Sequence, residues 1–163
     1  MKTIDLIPAV VLHGVGRRLN ILGHSFNIKL QRREIEGHYN AVEIITPSGL
    51  GIPPHIHDRE DEMIYVVEGE FMITLGEENF IAGPGSEIFF PKHVQHAFQN
   101  IGRVPGKTLW TIVPGGNVED FFEELNELPV EAPGMSKVIE IFANYEMQIL
   151  INPPAYIPLS PGP

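Results

Sequence analysis

Residues 49–69 carry the sequence GLGIPPHIHDREDEMIYVVEG. Within this stretch, His55 and His57 are separated by a single residue. Successive side chains of a β-strand alternate between its two faces, so a strand here places both imidazoles on one face, where they can share a metal ion. Three carboxylates follow at positions 60–62, and one of them can complete the site.

A second stretch, residues 85–100, carries the sequence GSEIFFPKHVQHAFQN and supplies a third imidazole from His93 or His96. The chain contains no cysteine, so a metal here must be held by histidine and carboxylate. Three imidazoles and one carboxylate suit iron, manganese, nickel, cobalt or zinc, and this set is too rich in nitrogen for calcium or magnesium. We therefore predict one divalent transition metal ion per chain.

These two stretches resemble the two sequence motifs of the cupin family. The first family motif, G-x5-H-x-H-x(3,4)-E-x6-G, matches every fixed position from Gly49 to Gly69. The second, G-x5-P-x-G-x2-H-x3-N, matches from Gly85 to Asn100, except that His93 stands in place of a glycine. Together the motifs span about a third of the chain, and their joint occurrence is a specific signal.

The resemblance implies that the metal ligands are His55, His57, Glu62 and His96. Among the three neighbouring carboxylates, Glu62 alone leaves six residues before the last glycine of the first motif. Glu62 is also the predicted general base, because a carboxylate that swings off the metal can accept a proton from a bound hydroxyl.

His93 occupies the position of the glycine in the second motif. The family glycine serves a tight turn, and histidine tolerates a positive φ better than most bulky residues. We therefore interpret His93 as a turn residue, with hydrogen bonding to a metal ligand or proton relay as the alternative. The remaining histidines, His13, His24 and His38, are interpreted as ordinary surface or core residues.

Apolar side chains are expected around the metal ligands. By strand parity, Ile64 and Val66 share the face of the glutamate, and Val94 and Phe98 share the face of the last histidine. We predict that these four side chains line the substrate pocket. The pocket is then apolar around a polar metal centre.

The opposite face of the strand at residues 62–67 is also apolar, with Met63, Tyr65 and Val67. A strand with apolar residues on both faces needs cover on both sides. The cover is another sheet, a helix or a second subunit, and a homodimer is the simplest hypothesis. The resemblance supports this hypothesis, because cupins commonly form dimers.

Glycine and proline separate short apolar or alternating stretches along much of the chain. Seven stretches are predicted to be strands: residues 23–30, 39–46, 62–67, 70–75, 87–90, 95–100 and 108–113. Short strands at this spacing favour a mainly β sandwich or barrel. The resemblance narrows this to the cupin double-stranded β-helix, a jelly-roll barrel, with its core at about residues 20–114.

The length of 163 residues matches a single domain, in which a helical extension at about residues 117–150 follows the barrel. Apolar residues recur at helical spacing over residues 118–125, behind Asn117, and again over residues 138–145, behind Ser136. We expect one or two short helices that cover an open end of the barrel.

Both ends of the chain differ from this pattern. The apolar run at residues 6–12 is far shorter than the roughly 20 residues of a membrane helix, contains Pro8 and lacks a small-residue cleavage pattern. We therefore predict a buried N-terminal strand in a cytoplasmic protein. Residues 152–163 are rich in proline and are expected to form an extended or frayed tail.

The charge balance restricts the partners. Eleven Lys and Arg residues against twenty-one Asp and Glu residues give a formal net charge of −10. Such a chain repels phosphate backbones and anionic lipid headgroups. Nucleic acid and membrane surfaces are therefore not expected as partners. We expect a small-molecule substrate instead.

Within the cupins, the chain looks most like the small quercetin-dioxygenase-like proteins. This likeness rests on the turn at residues 113–116 and on the helix that opens with Glu-Asp-Phe-Phe at residues 119–122. It implies a metal-dependent dioxygenation of a small enolisable or phenolic compound, such as a flavonol. Four protein ligands leave two positions open on a six-coordinate metal, where substrate and dioxygen can meet.

Two alternatives stay open, because a fold does not choose a reaction. The first is a non-oxidative metalloenzyme, an isomerase or a decarboxylase, which works without dioxygen and with a redox-inert metal. The second is a binding module that uses the metal as an anchor for a small molecule and releases that molecule unchanged.

Overall fold

Two antiparallel β-sheets share one hydrophobic core. The computed structural model describes residues 8–130 and 133–151. In these ranges the strands are β1 Arg17–Ile21, β2 His24–Leu30, β3 Asn40–Thr46, β4 Gly51–His57, β5 Asp61–Glu68, β6 Phe71–Leu75, β7 Glu78–Ala82, β8 Glu87–Phe90, β9 His96–Asn100, β10 Gly106–Val113 and β11 Met147–Ile149. The helices are α1 Arg32–Ile35, α2 Val118–Asn126 and α3 Met135–Asn144.

Each sheet combines strands that are far apart in the sequence. The six-stranded sheet has the order β1-β2-β3-β10-β5-β8, and the five-stranded sheet has the order β11-β4-β9-β6-β7. Inward side chains of both sheets, among them Ile28, Val66 and Phe71, belong to the same buried cluster. The predicted mainly β, jelly-roll architecture with two short C-terminal helices is confirmed.

All seven predicted strands are present, with ends that differ by at most two residues from the prediction. The short helix α1 and the strands β1, β7 and β11 were not predicted. β7 lacks a clean alternation, because Glu78, Phe80 and Ile81 are all exposed. β11 has only three residues and exists because it pairs with β4, a contact between distant parts of the chain.

The predicted N-terminal strand at residues 6–12 is wrong. Residues 8–12 form no strand, and the side chains of Val10 and Leu12 are 86% and 67% exposed, while residues 6 and 7 lie outside the described ranges. Proline has no N–H to donate to a neighbouring strand, so Pro8 weakens any pairing here. The chain instead turns before Arg17, where β1 begins and pairs with β2.

The two predicted helices are present as α2 and α3. Asn117 is the N-cap residue of α2, as predicted, although its side chain makes no capping hydrogen bond. α3 begins at Met135, so Ser136 lies inside the helix and does not cap it. The buried apolar faces of both helices join the barrel core.

The C-terminal extension is not purely helical, because β11 returns to the five-stranded sheet beside β4. The predicted tail at residues 152–163 lies outside the described ranges, and the boundaries of core and extension stay predictions. No helix within residues 8–130 and 133–151 has both the length and the apolar character needed to cross a bilayer.

Gly69 ends the first motif for a steric reason. Its φ of 97° lies in the left-handed region, which glycine adopts without strain. A Cβ at this position would lie 2.8 Å from Cα of Gly106, where β10 begins beside β5. The turn from β5 into β6 therefore requires a glycine.

The two faces of β5 differ in burial. The inward side chains of Ile64 and Val66 are fully buried, whereas the outward side chains of Tyr65 and Val67 are exposed. No element of the described part of the chain covers these two outward side chains. The apolar outer face therefore lacks the cover that the sequence predicts for it.

His24 is a core histidine. Its side chain is buried, and Nδ1 lies 3.2 Å from Oγ1 of Thr46. Burial lowers the pKa of His24 from 6.5 to about 4, although a hydrogen bond with the backbone of Gly51 acts in the opposite direction. The imidazole is therefore neutral in the folded protein at neutral pH.

The lowered pKa of His24 predicts a loss of stability at acid pH. As the pH falls below 6.5, the unfolded chain takes up a proton at His24 that the folded chain accepts only near its own pKa of about 4. The stability is therefore present above pH 6.5 and is lost between these two values. From about pH 7.5 to about pH 5, the metal-free protein should lose about 2 kcal/mol more unfolding free energy than a His24→Asn variant.

Urea unfolding of both proteins at the two pH values measures this difference. The change in unfolding free energy between the two pH values is taken within each protein, which cancels the fixed cost of the substitution. The difference between the two changes then cancels the titration of the other groups. Equal losses in the two proteins would contradict the prediction.

Candidate metal centre

Four buried side chains converge between the two sheets. His55, His57, Glu62 and His96 each offer one ligand atom, and these four atoms all lie within 4.8 Å of one another. β4 and β9 supply the histidines from the five-stranded sheet, and β5 supplies the glutamate from the six-stranded sheet. The structure therefore brings together all four residues that the resemblance implies as ligands.

Strand geometry explains this convergence. His55 and His57 are two residues apart in β4, and both side chains are buried while Ile56 between them is only partly buried. His96 opens β9 directly opposite His55 in the antiparallel pairing of the two strands. Alternation along one strand and register across two strands thus place three imidazoles side by side.

Backbone carbonyls orient two of the imidazoles. Nδ1–H of His55 donates a hydrogen bond to the carbonyl oxygen of Pro53 over 2.9 Å, and Nδ1–H of His96 donates to that of Val94 over 3.0 Å. Because a carbonyl oxygen only accepts, these contacts fix the proton on Nδ1. The Nε2 atoms are then free to bind a cation.

The third imidazole has a carboxylate at the corresponding position. Nδ1 of His57 lies 3.5 Å from Oε2 of Glu60, a side chain that is itself buried. On its other side, Nε2 of His57 lies 3.6 Å from Oε1 of Glu62. His57 thus lies between two carboxylates, one behind the ring and one within the cluster.

The cluster contains buried polar atoms without hydrogen-bond partners. Among the described residues, neither Oε2 of Glu62 nor Nε2 of His96 has a partner of acceptable hydrogen-bond geometry, although the two atoms lie 3.3 Å apart. Leaving such atoms unpaired in an apolar interior costs free energy. A divalent transition metal ion would satisfy them together, and the nitrogen-rich donor set fits that ion.

The electrostatics of the cluster support an ionised glutamate. Burial alone would raise the pKa of Glu62, but the imidazoles of His57, His96 and His55 together lower it to about 2. Burial and the two neighbouring imidazoles lower the pKa of His55 to about 3, so its ring is neutral. Burial also acts to lower the pKa of His57, but the carboxylates of Glu62 and Glu60 raise it overall.

Aromatic rings surround the imidazoles. The ring of Phe90 stacks on His96 with centroids 4.5 Å apart and an interplanar angle of 10°. The ring of Phe142, from α3, meets His55 edge-on with centroids 5.7 Å apart. These contacts hold the rings of His96 and His55 in place.

A cavity of about 50 Å³, counted as the space open to the centres of water molecules, lies against the cluster. Of the four predicted pocket residues, Phe98 lines this cavity, but Ile64, Val66 and Val94 do not. Ile64 and Val66 face inward as predicted, yet other core side chains cover them completely. Strand parity indicates which side chains face inward and does not indicate which of them border an empty space.

His93 has the turn conformation that its position in the motif requires. Its φ is 66°, and its backbone N–H donates a hydrogen bond to the carbonyl oxygen of His57 over 2.8 Å. The exposed imidazole lies 3.4 Å from Asp58 and does not belong to the cluster. A role in hydrogen bonding to a ligand or in proton relay stays a prediction.

Sequence reasoning did not assign functional roles to several residues at this site. Glu60 was considered only as a ligand, and its position behind His57 depends on the turn between β4 and β5. Phe121 and Phe142 were predicted as helix residues but not as walls of the cavity. The apolar spacing of the helices was a usable signal, but it did not indicate which side chains reach the metal centre.

The comparison with known proteins agrees with this geometry. A model of the cupin domain matches residues 41–112. The chain is 36% identical over 78 residues to an uncharacterised protein of Methanocaldococcus jannaschii, covering 48% of this chain and 62% of that protein. It is 25% identical over 121 residues to quercetin 2,3-dioxygenase of Bacillus subtilis, covering 74% of this chain and 35% of that protein.

This chain thus spans less than two thirds of the length of either relative. Among solved structures, KdgF from Halomonas sp. is similar with a TM-score of 0.60 at 21% identity, covering 66% of this chain and 94% of that one. At this level of identity the likeness concerns the fold alone. The domain match and the shared barrel agree with the two sequence motifs, and residues 41–112 of this chain form a cupin domain.

Proposed function

We propose that this cupin is a metal-dependent, oxygenase-type enzyme acting on small enolisable or phenolic compounds, a class that includes flavonols. Dioxygen is the proposed second substrate. The observation that carries the proposal is the buried cluster of three imidazoles and one carboxylate beside an apolar cavity. The similarity to quercetin 2,3-dioxygenase supports the same class of reaction.

We assign His55, His57, Glu62 and His96 as the ligands of one divalent ion of iron, manganese, nickel, cobalt or zinc. These four residues would hold the ion and would leave it room to bind other molecules. A redox-active ion at this site supplies the electron transfer that dioxygen chemistry requires. The chain itself orients the Nε2 atoms of His55 and His96 and keeps the Glu62 carboxylate ionised.

Glu62 is the proposed catalytic base. It is the only carboxylate that borders the cavity among the described residues, and its pKa of about 2 keeps it ionised. A carboxylate within hydrogen-bond reach of an acidic hydroxyl or an enolisable C–H group can accept its proton. Exclusion of water by the apolar walls strengthens this interaction.

A second copy of the chain is the proposed cover for the outer face of the six-stranded sheet. Tyr65 and Leu109 lie opposite each other in the pairing of β5 with β10 and are 44% and 40% exposed. The exposed side chains of Val67 and Val113 extend this apolar patch along the same two strands, and Phe89 extends it onto β8. A patch of this kind can pair with itself about a two-fold axis.

We also propose a cytoplasmic location for this protein. The acidic balance that predicts no nucleic-acid or membrane partner applies to the whole chain. The substrate is therefore expected to be a diffusible small molecule.

Removal of one ligand should remove the metal. We expect about one ion per chain in the wild-type protein and only a small fraction of this content in His57→Ala and in His96→Ala, because each change deletes one of four ligands. Elemental analysis after purification measures the content, and circular dichroism checks that the variants are folded.

His93→Gly is the matched control for these variants. It removes an imidazole that is close in sequence but outside the cluster, and glycine accepts the φ of 66° at this position. The control should keep its full metal content. Full metal content in both alanine variants would refute the ligand assignment.

Oxygen uptake tests the reaction. The protein loaded with a redox-active metal should consume dioxygen when supplied with a small diketone, and Glu62→Gln should lower this rate by about 10²- to 10⁴-fold while retaining part of the metal. An oxygen electrode measures uptake, and elemental analysis corrects the rate for metal content.

The outcome also separates the alternatives. Turnover of substrate without dioxygen and with zinc would replace the proposal by an isomerase or decarboxylase. Tight binding of a ligand that is recovered unchanged would replace it by a binding module.

Disruption of the apolar patch should produce monomers. We expect the wild-type protein at twice its chain mass of 18.2 kDa and Tyr65→Glu at the chain mass, because the new charge would be buried in the interface. Light scattering after size-exclusion chromatography measures the mass. Ile81→Glu, on the exposed strand β7, is the control that should stay dimeric. A monomeric wild-type protein contradicts the proposal.

A further inference from the structure

The cavity beside the metal centre offers a ligand one polar end and otherwise apolar walls. Of the fifteen described side chains that line it, twelve are apolar and the other three are His55, His57 and Glu62. Trp110 is one of these twelve side chains. Its Nε1–H donates a hydrogen bond to Oγ1 of Thr108 over 2.8 Å and is therefore not available to a ligand. A ligand with many hydroxyl groups therefore finds few hydrogen-bond partners away from the centre.

The charges of the site restrict the charge of the ligand. No lysine or arginine is among the described lining residues. A divalent ion with the ionised Glu62 carries one net positive charge, which one monoanion neutralises. A dianion would leave a negative charge without a partner in apolar surroundings, which is costly.

The size of the cavity restricts the ligand further. Its volume is about 50 Å³. An engineered apolar cavity that binds benzene in another protein has roughly 150 Å³. A three-ring flavonol therefore does not fit between the walls as they stand, and the geometry favours the smallest members of the proposed substrate class.

Two helices beyond the matched cupin domain close the cavity. The domain match ends at residue 112, whereas Phe121 and Phe142 belong to α2 and α3. Their rings meet edge-on with centroids 4.9 Å apart, and the ring of Phe142 contacts His55. These two phenylalanines therefore form a wall of the cavity beside His55.

Polar contacts hold α2 against the barrel. Nη2 of Arg32 donates a hydrogen bond to Oδ1 of Asp120 over 2.9 Å, and Arg17 forms an ion pair with Glu123. The backbone N–H group of residue 20 also donates to Oδ1 of Asn126 over 2.8 Å. The helix is tied at both ends, so its phenylalanines resist displacement by a larger ligand.

We propose that Phe121 and Phe142 set the upper size limit of the ligand and that the cavity selects small, largely apolar monoanions. This inference rests on the proposed metal site and substrate class. It assigns the choice of ligand to the C-terminal extension and the binding of the metal to the barrel.

A series of hydroxamates tests the size limit. Acetohydroxamate, benzohydroxamate and 2-naphthohydroxamate share one monoanionic metal-binding group and differ in bulk. Calorimetry with the zinc-loaded protein measures their binding, and each affinity is divided by that for free zinc ions. We expect acetohydroxamate to bind and each larger member to bind at least about tenfold more weakly on this scale. Equal relative affinities across the series overturn the size limit.

Two wall variants test which residues set the limit. Phe121→Leu and Phe142→Leu each replace an aromatic ring by a smaller aliphatic side chain, with a modest loss of core volume. Each should raise the relative affinity for benzohydroxamate by about tenfold or more and change that for acetohydroxamate little. Phe71→Leu is the matched control, because Phe71 is fully buried but does not line the cavity. A gain as large in the control, or no gain in either wall variant, overturns the assignment.

Oxalate tests the charge selection, because it is close to acetohydroxamate in size but carries two negative charges. We expect its affinity relative to free zinc to be at least about tenfold below that of acetohydroxamate. An equal or higher relative affinity overturns the selection of monoanions.

These measurements separate the inference from the proposed function. Binding to the zinc-loaded protein involves no oxidation, so a failed size order leaves the oxygenase proposal standing. Absence of oxygen uptake with every diketone and flavonol removes the oxygenase proposal and leaves a confirmed size order intact. No binding of any hydroxamate to the zinc-loaded protein overturns the inference.

Discussion

The structure depends on keeping one ionised carboxylate in an apolar interior. Burial opposes the charge of Glu62, and the three surrounding imidazoles more than compensate, so its pKa is about 2. This balance holds only while β4, β5 and β9 keep the four side chains within a few ångströms of one another. The interior therefore tolerates the charge of Glu62 only because the two sheets place the three imidazoles beside it.

The barrel orients two of its imidazoles with the same local hydrogen bond. In β4, Nδ1–H of His55 donates to the carbonyl two residues earlier, at Pro53, and in β9, His96 does the same with Val94. Each contact fixes the tautomer and points Nε2 inward, with no need for another side chain. Only His57 has a carboxylate, Glu60, behind its ring, so its orientation depends on the turn that follows β4.

The barrel and the C-terminal extension contribute different parts of the site. The strands of residues 41–112 bring the polar cluster together, and the helices after them add aromatic walls that narrow the cavity. Polar contacts join α2 to β1 and to α1. The aromatic side chains of α2 that line the cavity are therefore fixed to the barrel. The proposed metal binding therefore depends on the barrel, and the proposed choice of ligand depends on the helices that follow it.

Local spacing was enough to predict seven of the strands, the two C-terminal helices and the shared face of His55 and His57. The resemblance to the cupin motifs implied the other two converging side chains, Glu62 and His96. Packing between distant segments decided the rest. Ile64 and Val66 face inward but are covered, the run at residues 6–12 finds no partner strand over its described part, and β11 exists only beside β4. A cavity, an edge strand such as β11 and the side chains that line the cavity all depend on which distant residues pack opposite them. The periodicity of the sequence contains no information about these distant neighbours.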